Sequence, residues 1–210
     1  MRHHGMRHGG FALLLVTIVA NPAHAEDGGD APLTQEELAR LAHGELVVRS
    51  AAERRGRFEL MGGTSWQVIN ATPNVVWQAL LDTEHYAKML PRVIEARLIT
   101  SAGDERTVFL RQGAAFVQTT YYIKLKHDAS RAEIRFALDD TRPHGIEAAW
   151  GFYSVRPYRG GRTLLTYGIM ADIGSGLVNF VVRDVVHEWM LRTPWMVKRF
   201  VEGSGRWIYR

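Results

Sequence analysis

Apolar positions along this chain recur first at helical spacing, then at every second residue, then at helical spacing again. Thr34-Gln35-Glu36-Glu37 has the form of a capping box in front of a short helix, which Gly44 stops. From Glu45 to Asn70 apolar and polar residues alternate irregularly, which predicts one or two strands broken at Gly62-Gly63. Pro73 suits a first helical turn, with Thr72 as N-cap and Val75, Val76, Ala79 and Leu80 at helical spacing. Asp82 or Thr83 can cap a second short helix running to Met89, which Pro91 closes. The period then becomes two, through "VIEARLIT", "RTVFLRQG", "FVQTTYYIKLKH", "RAEIRFALDD", "IEAAWGFYSVRP" and "RTLLTYGIMAD". Strands that follow one another through short links, with no helix between them, predict an antiparallel meander.

From Gly176 to about Val201 the helical period returns, with Pro194 inside it as a kink. At ~100° per residue, Val178, Val182, Val185, Val186, Trp189, Met196 and Phe200 share one face. Arg183, Asp184, His187, Glu188 and Lys198 share the other.

The first 25 residues stand apart. Arg2 and Arg7 precede an apolar run from Phe11 to Ala20, a breaker at Asn21-Pro22, and small residues in Ala23-His24-Ala25. The run is shorter than the roughly 20 residues a membrane span needs, so it predicts a cleaved export signal with the mature chain starting at Glu26, bound for the periplasm if the source is bacterial. Glu26 to Pro32, acidic and glycine-containing, has the composition of a flexible leader. Without Arg2 and Arg7 the 26 basic residues become 24, against 22 acidic ones. A balance that close argues against a nucleic-acid partner. With no cysteine in the chain, disulfides, thiolate metal sites and cysteine nucleophiles are excluded.

Few motifs point to catalysis. Asp82, Glu84, His85 and Tyr86 crowd together, but adjacent helical residues diverge by ~100°, so Glu84 and His85 do not share a pocket. The cluster reads as a joint in which Asp82 caps a helix and Tyr86 and Leu90 pack under the sheet. "HEWML" at His187 lacks the second histidine of a zinc-protease helix, because that position is Leu191. The histidines after the signal, His43, His85, His127, His144 and His187, show no ligand spacing on one element, and no metal or cofactor is implied. Ser154, Ser175 and Ser204 lack a nucleophile-elbow setting.

"INATPNVVWQALLDTEHYAKMLPRVIEARLI" resembles the opening segment of the START-like, or SRPBCC, superfamily, which includes polyketide cyclases, coenzyme Q-binding proteins, lipid-transfer domains and the birch-pollen-allergen group. "WGFYSVRPYRGGRTLLTYGIMADIG" is similar to the paired late strands of that superfamily, and the resemblance covers roughly Phe58 to Glu202. It implies an α+β helix-grip fold: a curved antiparallel sheet wrapped around a long C-terminal helix, with two short helices after the first strand. The expected organisation is a signal over 1–25, a leader and short helix over 26–44, and the START-like domain over 45–206. Such a resemblance specifies fold better than activity.

On this frame, alternation sets Val117, Thr119, Tyr121, Ile123 and Leu125 towards the helix, together with Trp150, Phe152 and Ser154. With Ile134 and Phe136, with Tyr86 and Leu90, and with Val178, Val182, Val185 and Trp189 of the long helix, they form an apolar lining holding few hydroxyls. This is either a filled core or a tunnel for an apolar ligand; the resemblance favours the tunnel. The leading expectation is a module that binds a lipid, quinone, sterol-like or other hydrophobic small molecule. Its gates would be the loop after Pro91, the hairpin at Arg159 to Arg162 and the start of the long helix. Transient contact with a membrane surface would involve Arg142, Arg156, Arg159 and Arg162. One alternative is a cyclase or dehydratase using Glu147, Asp172 or His187; another is a module that docks a partner through the helix at Thr34 to His43.

Overall fold

The computed structural model describes residues 31–114, 117–174 and 180–209, with the side chains of 114, 117 and 180–183 outside that description. Eight strands form one sheet: β1 (Val47–Arg55), β2 (Phe58–Ile69), β3 (Val93–Ala102), β4 (Glu105–Ala114), β5 (Val117–Asp128), β6 (Glu133–Leu138), β7 (Ala148–Tyr158) and β8 (Arg162–Asp172). Their order is β1-β2-β8-β7-β6-β5-β4-β3, with every neighbouring pair antiparallel. Helix α1 (Gln35–Ala42) precedes the sheet, α2 (Pro73–Leu81) and α3 (Tyr86–Met89) link β2 to β3, and α4 (Phe180–Leu191) and α5 (Thr193–Glu202) follow β8. This is the expected helix-grip architecture. Among the described residues no helix is long and apolar enough to cross a membrane.

Two boundaries differ from the sequence reading. Gly62 and Gly63 do not break a strand; they lie inside β2. A Cβ on Gly62 would sit 1.9 Å from the Ile169 carbonyl oxygen, and one on Gly63 would sit 2.1 Å from that of Arg49. The pair lets β8 and β1 close in on β2 from either side, and the turn falls instead at Gly56, where φ is 60°. The long C-terminal helix is two helices. Its ladder lapses at Arg192, whose N–H turns back to the Trp189 carbonyl, and Pro194 stands in the first turn of α5, where its missing N–H leaves no bond unmade.

The concave face carries the main core. Val76, Ala79 and Leu80 of α2, Tyr86 and Met89 of α3, and Val197, Phe200 and Val201 of α5 pack with Ile69, Val108, Val155 and Leu165 of the sheet. Asp82 joins these helices: its carboxylate accepts from Glu84 N at 3.2 Å, His85 Nδ1 at 2.8 Å and the Tyr209 hydroxyl at 2.6 Å. Burial opposes its charge, but those hydrogen bonds hold the carboxyl below the ordinary range. Glu84 and His85 form no acid and base pair; the cluster is a joint.

Helix α1 covers the opposite face. The Thr34 side chain and Glu37 close the capping box at 3.2 and 2.7 Å. Leu41, fully buried, packs with Val47, Trp66 and Val68, and Leu33, Tyr158 and Leu164 border them. Arg49 grips both Glu37 oxygens at 2.9 and 2.6 Å while lying over the Trp66 ring. Leu41 is the α1 residue buried against the sheet, while Leu38 stays exposed, so truncating Leu41 opens a void between helix and sheet. We expect Leu41→Ala to lower stability by about 2–4 kcal/mol in urea denaturation; a loss below about 0.5 kcal/mol, the size of an ordinary surface change, would show that α1 is not held there.

Candidate functional site

A cavity of about 270 Å³ lies between the concave face and the helices. Tyr86 and the Leu90-Pro91-Arg92 corner form one side, with Val93, Leu110 and Gln112. The sheet supplies Thr119, Tyr121, Ile123 and Leu125 from β5, Phe136 from β6, Ala149 and Tyr153 from β7, and Tyr167, Ile169 and Ala171 from β8. Ile146, Ile173, Val186, Trp189, Met190 and Thr193 complete the wall. The wall is predominantly apolar, as a site for an apolar molecule requires.

Of the residues that the sequence reading assigned to the lining, Tyr86, Leu90, Thr119, Tyr121, Ile123, Leu125, Phe136 and Trp189 come together here. Ile134 is fully buried in the core but stops short of the cavity. Trp150, Phe152 and Ser154 do not line it, because the inward set on β7 is Ala149, Gly151, Tyr153 and Val155. Two aromatic rings resting on glycines fix that register. The Phe136 ring covers Gly151, where a Cβ would lie 2.4 Å from ring carbon Cζ. Phe152 covers Gly168, with the same 2.4 Å to its Cε1, and is itself exposed. Val185 is also exposed; α4 turns Val186, Trp189 and Met190 to the cavity, a face rotated away from Val185. Val178 and the side chains of Val117 and Val182 lie outside the described residues.

The lining residues that sequence reasoning missed include Tyr153, Tyr167, Gln112, Arg92 and Thr193. Arg156, plainly a solvent residue, shares parity with Trp150 and Phe152, and that signal could have set the register of β7.

The hydroxyls of the wall are neutral donors. Burial pushes those of Tyr86, Tyr121, Tyr153 and Tyr167 far above the ordinary tyrosine range, with Thr193 drawing Tyr167 back in part. Tyr86 donates to the Leu80 carbonyl at 2.8 Å, and Tyr121 donates to Gln112 Oε1. Gln112 in turn donates to the Pro91 carbonyl at 2.7 Å. Arg92 is the charged residue among the described lining residues. It is exposed, has φ 56°, and stacks 4.1 Å from the Trp189 ring centroid, tying the corner after α3 to α4.

The residues proposed for a cyclase point elsewhere. Asp172 accepts from the backbone N–H groups of Glu59 and Gly174, both at 2.9 Å, His187 Nε2 donates to the Gly62 carbonyl at 2.6 Å, and Glu147 is exposed. The hairpin at Arg159 to Arg162 is not a gate to this cavity: Tyr158 beside it packs under α1 on the other face.

The profile of the family described as "Polyketide cyclase / dehydrase and lipid transport" matches residues 63–200. No curated protein matches the chain. Among solved structures, the aromatase/cyclase Zhui of a Streptomyces species is 16% identical, with 70% of this chain and 94% of that one covered at a TM-score of 0.58. A STAR-related lipid transfer protein from Xanthomonas axonopodis is 14% identical, with coverage of 73% and 99% and a TM-score of 0.57. A START superfamily protein from Mycobacterium smegmatis is 14% identical, with coverage of 67% and 97% and a TM-score of 0.56. At these identities the likeness is one of fold.

Asp139 anchors the loop that carries Ile146 into the wall. Thr141, Lys124 and Arg142 bind its carboxylate at 2.6, 2.9 and 3.1 Å, and the Thr141 hydroxyl and Lys124 hold its pKa down to about 2 against the effect of burial. A depressed folded pKa stabilises above the unfolded value, near 3.9, and that contribution is lost as pH falls towards about 2. Between these limits wild-type stability should fall more steeply with acid than that of Asp139→Asn, as read by urea midpoints across pH. Parallel curves would remove Asp139 as the acid-sensitive anchor.

Proposed function

Because this chain belongs to the polyketide cyclase / dehydrase and lipid transport family, we propose that its cavity binds a hydrophobic small molecule, such as a lipid, quinone or sterol-like compound, and carries it between membranes. The observation that supports this most directly is the apolar cavity itself, with its charged lining residue at the rim, stacked on Trp189. Moving an apolar ligand out of water contributes roughly 25 cal/mol per Å² of apolar surface buried. Likeness to the Xanthomonas lipid transfer protein supports lipid carriage, and likeness to the Streptomyces aromatase/cyclase supports cyclisation. The second reading needs an acid or base in the cavity; the tyrosines there are kept neutral by burial, and the charged lining residue, Arg92, is stacked on Trp189.

Carriage between membranes fits the export signal read over residues 1–25, which would release a mature protein beginning at Glu26. In a bacterial source that protein would work in the periplasm. The intact mass of protein purified from its own host checks this: a chain retaining residues 1–25 would be anchored rather than released.

Native mass spectrometry of the same material, followed by organic extraction, should show an apolar compound bound in one-to-one ratio. Ala149→Trp places an indole in the cavity and should abolish co-purification, or weaken binding at least tenfold, while the variant keeps wild-type circular dichroism. A protein that comes out empty, and stays empty against a panel of lipids and quinones, overturns the proposal.

A further inference from the structure

Among the described residues, Tyr153 is a polar group of the cavity wall whose hydroxyl has no protein acceptor, and the Thr119 hydroxyl on β5, also in the wall, is buried without a partner. The Tyr153 side chain is 8% exposed and lines the cavity, with its ring 4.8 Å from that of Tyr167 and 5.6 Å from that of Phe136. Tyr86 and Tyr121 both spend their hydroxyl protons on protein acceptors. Among the described residues no acceptor takes the proton of Tyr153, and its surroundings are rings and aliphatic side chains. A buried donor left unpaired is destabilising by roughly 1–3 kcal/mol, so such groups are normally satisfied. A hydroxyl that faces a cavity is free to take its acceptor from a bound molecule.

We propose that Tyr153 selects ligands by donating a hydrogen bond to an uncharged carbonyl oxygen, so that the bound molecule is a neutral, ring-bearing ketone or quinone. The inference rests on the cavity-binding reading above and sharpens it. The ring preference comes from the wall: Phe136 and Tyr167 stack with 17° between their planes, centroids 5.9 Å apart, and offer a flat aromatic surface beside the donor. The preference for an uncharged acceptor comes from charge. Burial holds the Tyr153 hydroxyl protonated across the physiological range, so it donates and does not ionise. A carboxylate or phosphate brought to it would be a buried charge whose nearest lining cation, Arg92, is exposed and engaged on the Trp189 ring. A plain hydrocarbon chain would leave the donor unpaired. A carbonyl satisfies it without adding charge.

The test compares benzophenone with diphenylmethane, which share their two rings and differ in a carbonyl against a methylene. Isothermal titration of the full mature chain should show benzophenone binding about 3- to 10-fold more tightly, the range for one net hydrogen bond. Tyr153→Phe keeps the ring and its packing; it should erase that difference by weakening benzophenone and leaving diphenylmethane unchanged. Equal affinity for the two compounds in the wild type, or a difference that survives Tyr153→Phe, overturns the inference and leaves cavity binding standing. If neither compound binds, the inference is overturned, while the cavity-binding reading is decided separately by the lipid and quinone panel.

Discussion

A sheet that curls around helices cannot carry large side chains at every inward position, and here the relief comes from aromatic rings laid on glycines of the adjoining strand. Phe136 occupies the space above Gly151 on the concave face, and Phe152 occupies that above Gly168 on the convex face. Gly62 and Gly63 serve a related purpose, letting three strands approach where any Cβ would collide with a carbonyl oxygen. These contacts set which residues of β7 and β8 face inward. They therefore decide that the cavity meets Tyr153 and Tyr167 and not Trp150 and Phe152.

Much of the architecture was legible because it rests on local chemistry. The Thr34 capping box, Pro73 in its first turn and the period-two runs from Val93 to Asp172 each name their element with little help from the rest of the chain. The candidate site was legible where alternation and burial agree, as on β5, where charged Lys124 and Lys126 separate the inward Ile123 and Leu125. On β7 the one signal stands at the strand's far end, in Arg156, which shares parity with Trp150 and Phe152. Before it a run without charge from Ala148 to Val155 offers two equally apolar faces, and the deciding contact is made across strands by a glycine that carries no hydrophobic signal. On the C-terminal segment the face drawn through Val185 and Trp189 is rotated from the one that α4 presents, which is Val186, Trp189 and Met190, and the single helix expected there is two, parted at Arg192.

The sheet is also occupied on both sides, in contrast to a grip that holds only its helix. Residues 31–62 precede the matched family segment and include α1, β1 and the start of β2. They add a strand beside β2 and a helix over the face behind it, burying Trp66 and Val68. Leu41 is to that second layer what Phe200 is to the first. The cavity thus sits in a wall supported from behind, and its shape does not depend on the α4 and α5 side alone.

The pairing of β2 with β8 carries a consequence for how the chain reaches this state. Glu59 donates its N–H to Asp172 across 113 residues of sequence, and β2 has no neighbour on that side until β8 arrives. Closing so long a loop before any contact rewards it slows folding. A ribosome releasing this polypeptide would hold β2 waiting until nearly all the rest had emerged. The hairpins from β3 to β7 can form meanwhile, so the last strand to be made acts as the clasp that joins them to the first.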